Sequence, residues 1–361
     1  MKILALILIL AVQAASPTIA DAQEITMVFA GDAMQHKSQL TAAHRSDGSY
    51  NYDAYFARLK PYIEAADYAV VNLETPVAGA PYSGYPCFNA PESYLLALKE
   101  AGFDFVLAAN NHTLDRRDRG VVRTIEAFER YSVPYAGIYR NKAEREKRNP
   151  VIRDINGIKV AFLNYTYGTN GITIQKDVVV DYINRNVIAA DIKKARDAGA
   201  DIIAVFPHWG VEYKLLPEKS QKQLADWLID QGVDLIIGGH PHVIQPMEIH
   251  RSEKYDKDVF LVYSLGNFIS GMKKTDTQGG AMARVTIARD STGTARVRNA
   301  DYRLVFTQKP TRAGQNFMLL PAEETPEGTQ NRTTRDAFVR NATRVFDRYN
   351  VGVPRDSSPI K

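Results

Sequence analysis

The sequence predicts an α/β protein organised around buried β-sheet, and three observations lead there. Short apolar runs recur along the chain: ITMVFA (25–30), DYAVV (67–71), DFVLAA (104–109), VAFLNY (160–165), DIIAVF (201–206), DLIIGG (234–239) and VFLVYS (259–264). Such nearly continuous hydrophobicity suits strands covered on both faces. Between several of them lie stretches with helical spacing, PESYLLALKEAG, RGVVRTIEAFERY, NVIAADIKKARDAGA and EKSQKQLADWLIDQG, three of which run into a glycine suited to a helix C-terminus. Finally, 361 residues with 45% hydrophobic content are enough for a large core and argue against disorder.

Taken in order, the chain opens with a segment that reads as a secretory signal. Lys2 is its positive start, Ile3 to Val12 its apolar stretch, and Ala20-Asp21-Ala22 its small-residue cleavage site. Residues 1–22 are therefore expected to be the signal, with a periplasmic or extracellular mature protein from Gln23; left uncleaved, the same segment would tether it to a membrane. Cys87 is the sole cysteine, so no internal disulfide can form and stability has to come from the core. Asn156-Gly157 is a hairpin signal, which makes the sheet mixed. ARVTIA and ARVRNADYRLVF predict antiparallel strands around Ser291-Thr292-Gly293. A Pro/Glu/Gly/Thr-rich linker at 321–330 precedes a helical stretch from Asn331 to Tyr349. The expected organisation is one domain over 23–320, with 321–361 as linker and helical tail. A net charge of +4 permits an anionic substrate without pointing to nucleic acid.

The polar residues gather where the strands end. Gly31-Asp32, Asn72-Leu73-Glu74, Asn110-Asn111-His112, His208-Trp209-Gly210 and His240-Pro241-His242 each follow a strand candidate. In open α/β sheets that edge is where ligands collect, so these distant segments should meet in one cleft. Each alone has an ordinary reading: Asn110-Asn111 as a turn, Asp32 as a helix cap, a single histidine as a packed residue. Together they form a donor set of Asp, Glu, Asn and His without thiolate, which suits one or two divalent ions, Mn, Zn or Fe. Glu74 or Asp32 could bridge a pair of ions. Asn72 and Asn110 are expected to contact substrate, and Asn267 to lie near the cleft rim, touching either substrate or the ligand residues behind it, with a Gly-Asn turn as its ordinary reading. His44 and His250 lack such a setting and read as structural. Tyr82, Tyr85, Phe88 and Tyr94 read as packing residues, and Cys87 as a loop or small buried residue rather than a nucleophile.

The blocks FAGDAM, VVNLETPV, AANNHTLD, FPHWGVEY, GGHPHVIQP and YSLGNFI, in this order over roughly residues 25 to 272, resemble the CapA or PGA_cap family of bacterial capsule biosynthesis proteins, associated with poly-γ-glutamate. That family is similar to the calcineurin-like metallophosphoesterases. The resemblance implies a metallophosphatase-like αββα sandwich of two mixed sheets flanked by helices. It implies that Asn111, His208 and His240 hold one metal and Asp32 and His242 another, with Glu74 between them and His112 as general acid. The implied chemistry is metal-dependent hydrolysis of a phosphoester or γ-glutamyl amide in an anionic polymer or phosphoester substrate, with capsule-synthesis membrane proteins as partners. The alternatives are a generic exported metallophosphoesterase and a polymer-binding or export factor without catalysis. One departure stands out: superfamily members carry a histidine two residues after the first Asp, and here that residue is Met34. A thioether is a poor ligand for these metals, and His36, on the same strand face by alternation, is the candidate to replace it.

Overall fold

A computed structural model describes residues 23–360, so the expected signal segment lies outside the described residues. Strands β1 (Glu24–Ala33), β2 (Tyr68–Leu73), β3 (Phe105–Leu107) and β4 (Tyr135–Ala136) lie side by side and parallel. Next, β5 (Ile138–Tyr139) pairs with β8 (Val179–Val180) in a small ribbon. A second sheet has the order β11-β12-β10-β9-β7-β6, made of β6 (Val151–Ile155), β7 (Ile158–Thr166), β9 (Ile202–His208), β10 (Leu235–Ile237), β11 (Ile244–Ser252) and β12 (Lys257–Leu265). The chain then returns to the first sheet, where β13 (Asn267–Ile269) pairs with β1. There β14 (Gly279–Arg289), β15 (Ala295–Gln308) and β16 (Met318–Pro321) complete the order β16-β15-β14-β1-β2-β3-β4. The helices are α1 (Lys37–Ala43), α2 (Lys60–Glu64), α3 (Glu92–Glu100), α4 (Arg117–Arg130), α5 (Lys142–Arg148), α6 (Arg185–Asp197), α7 (Lys219–Asp230) and α8 (Thr329–Tyr349). Among the described residues, no helix is long and apolar enough to cross a membrane.

Period-2 alternation sorts the side chains into layers. In β1, Ile25, Met27 and Phe29 face the second sheet, while Val28 and Ala30 join the cluster under α3 and α4 with Leu95, Leu98, Ile125 and Phe128. In β9, Ala204 and Phe206 face the first sheet, while Ile203 and Val205 pack with Ile192 of α6 and Leu228 of α7. The result is helices, sheet, sheet, helices, as expected. Phe162 anchors the middle, stacked on Phe105 at 4.3 Å and on Phe206 at 6.0 Å. Truncating such a side chain to Ala costs about 3–5 kcal/mol.

Local signals fall where they should. Asn156 and Gly157, at φ 47° and 85°, turn β6 into β7 with both residues left-handed, as a type I′ hairpin requires. The 321–330 stretch is shorter as a connection than expected: β16 reaches Pro321, and α8 starts at Thr329 after Gly328. Phe338, Ala342 and Phe346 seat α8 in the core between the sheets, with Phe346 4.6 Å from Tyr302 of β15. Beyond α8, Val351 bridges to Glu248 of β11 and Arg355 to Tyr302, so one short segment touches both sheets.

Candidate metal centre

Five strand ends deliver the cluster, three from the first sheet and two from the second. Near its end β1 has a register shift between Ala30 and Asp32 that skips Gly31, after which Asp32 pairs with Asn72 and its carboxylate accepts Asn72 Nδ2 at 2.8 Å. Gly31 makes this approach possible: a Cβ there would lie 1.9 Å from the Gly266 carbonyl oxygen, and Asp32 N donates to that oxygen. Asn164 of β7 ties the sheets together below the site. Its Oδ1 accepts Ala108 N and Ala109 N, ahead of Asn110-Asn111-His112, and its Nδ2 donates to the Phe206 carbonyl of β9. An isolated bridge between His208 and Gly239 sets β9's end against the loop after β10.

All residues assigned to metal on sequence grounds converge. Asp32 and Glu74 are fully buried. His208 Nε2 is 3.6 Å from Glu74 Oε1 and 2.8 Å from Asn111 Oδ1. His242 places Nδ1 3.4 Å from Asp32 Oδ2 and Nε2 3.7 Å from Glu74 Oε1. His240 donates its backbone N–H to Asp32 Oδ2, and its ring centroid lies 4.9 Å from that of His208. Two groups have ligand atoms within 4.8 Å of one another: Glu74, His240 and His242, and Asp32, Glu74 and His208. His240 and His242 sit at φ 99° and 58°, in the left-handed region that side chains other than glycine's rarely adopt. Strain of that kind costs of order 1–3 kcal/mol per residue and collects at functional sites.

The electrostatics suit a cation. Burial, reinforced by neighbouring rings, pushes His208 well below the usual histidine range and His240 down to about 4, so both imidazoles are neutral at pH 7 with lone pairs available. Burial works against the Asp32 carboxylate, yet the hydrogen bond from His242 and the nearby histidines hold it at about 2. Glu74 is driven well above its ordinary value, first by burial and then by the Asp32 charge. Glu74 Oε1 and His240 Nδ1 are buried without a hydrogen-bond partner. These orphaned donor atoms, in an all-oxygen and imidazole set, fit a divalent ion.

His112 stands beside the cluster. Its Nδ1 is 2.8 Å from Asp115 Oδ2, which also accepts Phe88 N, and its ring meets Phe88 edge-on at 4.6 Å. The Asp115 contact fixes the orientation of the His112 ring. The sequence reading missed Asp115, although its place three residues after His112 was the available signal. It also missed Asn170, whose Oδ1 accepts Asn111 Nδ2 at 3.3 Å and whose Nδ2 approaches His112 Nδ1 at 3.5 Å. Nothing in the sequence marks that loop. Tyr167 and Tyr213 flank the mouth, 4.6 Å from His240 and 6.3 Å from His242, and Lys274 Nζ lies 3.5 Å over the Tyr213 ring.

Hydrogen bonds define the places of Asn72, Asn110, Asn267 and His36. Asn72 and Asn110 were expected to touch substrate, and Asn267 to touch substrate or support the ligands; the amides of all three are engaged beneath the cluster. Asn72 holds Asp32, Asn110 spans Asn72 and the Leu73 carbonyl, and Asn267 places Oδ1 3.1 Å from His242 Nδ1 while donating to Ser270 and Thr277. Asn267 is fully buried, paired with Asp32 across β13 and β1, and not at a rim. His36 does not reach the ligands either. β1 ends at Ala33, so strand alternation no longer governs position 36, and His36 caps α1 with Nδ1 accepting Gly271 N and its ring edge-on to Phe88. Met34 is buried at 1% exposure. Cys87 is exposed in a loop, Tyr94 and Phe88 are buried, and Tyr85 is 73% exposed.

Comparison with known proteins gives the chain its kin. It is 31% identical over 281 residues to the capsule biosynthesis protein CapA of Bacillus anthracis, covering 75% of this chain and 66% of that one. It is 27% identical over 275 residues to the PGA biosynthesis protein CapA of Bacillus subtilis (strain 168), covering 73% and 68%. The chain thus spans about two thirds of the length of these relatives. Among solved structures, Haemophilus influenzae NAD nucleotidase aligns over 94% of this chain and 65% of its own at a TM-score of 0.48 and 12% identity. The Thermus thermophilus sulfate thiohydrolase SoxB aligns over 92% and 62% at 0.42 and 13%. Residues 26–272, which contain every strand end of the cluster, match the model of one family throughout, and the chain belongs to that family, the bacterial capsule synthesis proteins PGA_cap.

Proposed function

We propose that this protein is an exported, metal-dependent hydrolase of poly-γ-glutamate capsule biosynthesis that acts on an anionic substrate. The observation that carries this reading is the pair of fully buried carboxylates, Asp32 and Glu74, surrounded by histidines and an asparagine oxygen, with Glu74 Oε1 left unpartnered. Asp32, Glu74, Asn111, His208, His240 and His242 hold Mn, Zn or Fe, as one ion or two. A divalent ion there supplies Lewis acidity toward a phosphoryl or amide oxygen and lowers the pKa of water toward neutrality. His112, oriented by Asp115, donates the proton that the leaving group needs. Asn72, Asn110 and Asn267 keep the donor atoms aimed, a task whose loss typically costs 10–100-fold in metal affinity. An uncleaved leader would place the site beside membrane partners of capsule synthesis.

A second reading rests on Met34. It is buried where the wider superfamily places a histidine, and His36 is turned away onto Gly271. That favours a cleft able to hold polymer without cleaving it. One experiment separates the readings: metal analysis of the purified protein, then turnover of a phosphodiester and of γ-glutamyl oligomers in the metal found. Hydrolysis of either supports the enzyme; tight polymer binding without hydrolysis, at full metal loading, removes the catalytic role of His112.

A further inference from the structure

A cavity of about 450 Å³ opens beside the cluster, walled by Tyr167, Arg185, Trp209, Ser220, Gln223 and Leu224 among others, a size typical of small-ligand sites. None of its lining residues belongs to the metal set. Tyr167 joins the two sites: its ring lies 4.6 Å from His240 and parallel to His208 at 6.5 Å, and it is 48% exposed. Trp209 directly follows His208 in the chain. Its indole donates to the Tyr263 carbonyl at 2.8 Å and its ring stacks on Tyr263, so that wall is fixed. Gly210, at φ 90°, leaves no room for a Cβ, which would meet Gln221 at 2.6 Å. Arg185 opens α6 with its guanidinium donating to the Gln223 carbonyl and lying over Trp227 at 5.4 Å. It pairs with no carboxylate among the described residues, and no carboxylate lines the cavity.

We propose that this cavity is the subsite for the portion of an anionic polyamide that flanks the reacting unit, an assignment that rests on the polymer-hydrolase reading of the cluster. Arg185 takes a side-chain carboxylate, Ser220 and Gln223 meet chain amides, and Tyr167 with Leu224 covers the methylene stretch between them. Carboxylate, amide and methylene recur together in such a polymer. A nucleobase is a poorer match, because Trp209 is 3% exposed with its face against Tyr263, leaving Tyr167 as the one accessible aromatic wall.

The chain has two tryptophans, and both attend this cavity: Trp209 lines it and Trp227 backs Arg185. Intrinsic fluorescence therefore reads the subsite without requiring turnover. Metal-loaded full-length protein titrated with a γ-linked glutamate tetramer should give a saturable tryptophan signal. Arg185→Gln should weaken that binding about tenfold or more, as expected for a lost charge-assisted hydrogen bond, and Ser220→Phe should block it by filling the cavity, both with metal content at the wild-type level. The proposal is overturned if the tetramer leaves wild-type fluorescence unchanged, if both variants bind it as tightly as wild type, or if adenosine monophosphate gives the signal and the tetramer does not. Failure of the cluster reading looks different: tetramer binding that depends on Arg185 but is never followed by hydrolysis keeps the subsite and removes the enzyme.

Discussion

Asp181 and Asp191 form one buried carboxylate pair in this protein, and Asp32 and Glu74 form another. At the first, the chain provides its own cation. Arg145 of α5 pairs with both, its Nη2 lying 2.5 Å from Asp191, while Tyr165 adds a hydrogen bond at 2.8 Å. Burial nevertheless raises Asp181 to about 6 despite the guanidinium. At the second, no Lys or Arg pairs with either carboxylate among the described residues, and the neighbours are imidazoles. Buried charge is costly in both places. One cluster has a cation of its own and joins α5 to α6; the other has none among the described residues.

This contrast can be broken most decisively at the metal. His208→Ala should empty the centre, with metal content and turnover falling together, whereas His112→Gln should keep the metal and lower turnover by about 10²–10⁴. Metal analysis beside kinetics on the same samples decides it; loss of metal in both variants would erase the division of labour.

Stability sharpens the comparison next. Arg145→Met removes the internal cation from a buried pair and should cost about 3–5 kcal/mol in denaturant unfolding. Glu74→Gln, measured with chelator present, removes a buried carboxyl that lacks a protein cation and should cost nothing or stabilise. Equal losses in the two variants would mean that the pairs are the same kind of structure.

Smaller again is the effect beneath the ligands. Asn267→Ala should weaken metal affinity about 10–100-fold by releasing His242, with secondary structure unchanged by circular dichroism. Wild-type affinity would make Asn267 a strand-pairing residue only.

The smallest effect concerns the reverse situation, a cation without a carboxylate. Lys309 donates to the Met272 carbonyl, and burial, followed by repulsion from Lys273, lowers it to about 8 from 10.5. The unfolded chain then binds more protons between pH 8 and 10.5, so stability contributed through this group rises with pH across that window. Unfolding midpoints recorded at both ends for wild type and Lys309→Met should show the stability of wild type relative to the variant rising with pH, a difference that cancels the opposite pull of the buried tyrosines.

Much of the centre was legible because its donors follow strands, and strand ends are readable from hydrophobic runs. Asp32, Glu74, His208 and His240 each lie within a few residues of such a run. Depth was not legible. Asn72 and Asn110 follow strands in the same way as the ligands, yet they point beneath the cluster, and only the register shift at Ala30/Asp32 and the hydrogen-bond partners reveal it. β11 escaped notice because Pro246 interrupts its pattern; it is tolerated because β11 is an edge strand. Asn170 and Tyr167 became part of the site through a loop whose path depends on tertiary contacts, including Asp118 accepting the Gln175 and Lys176 amides.

The pairing of β1 has a consequence in time. Met27 sits between Tyr68, 41 residues further along the chain, and Val285, 258 residues further, so β14 docks across a far longer loop and later in folding than β2. Throughout that interval one side of the first sheet's central strand is an open edge with unpaired N–H and C=O groups, the arrangement that recruits other chains. Substitutions that delay β14, such as a proline at Val285, should therefore appear first as aggregation during folding, before any change in the finished centre can be measured.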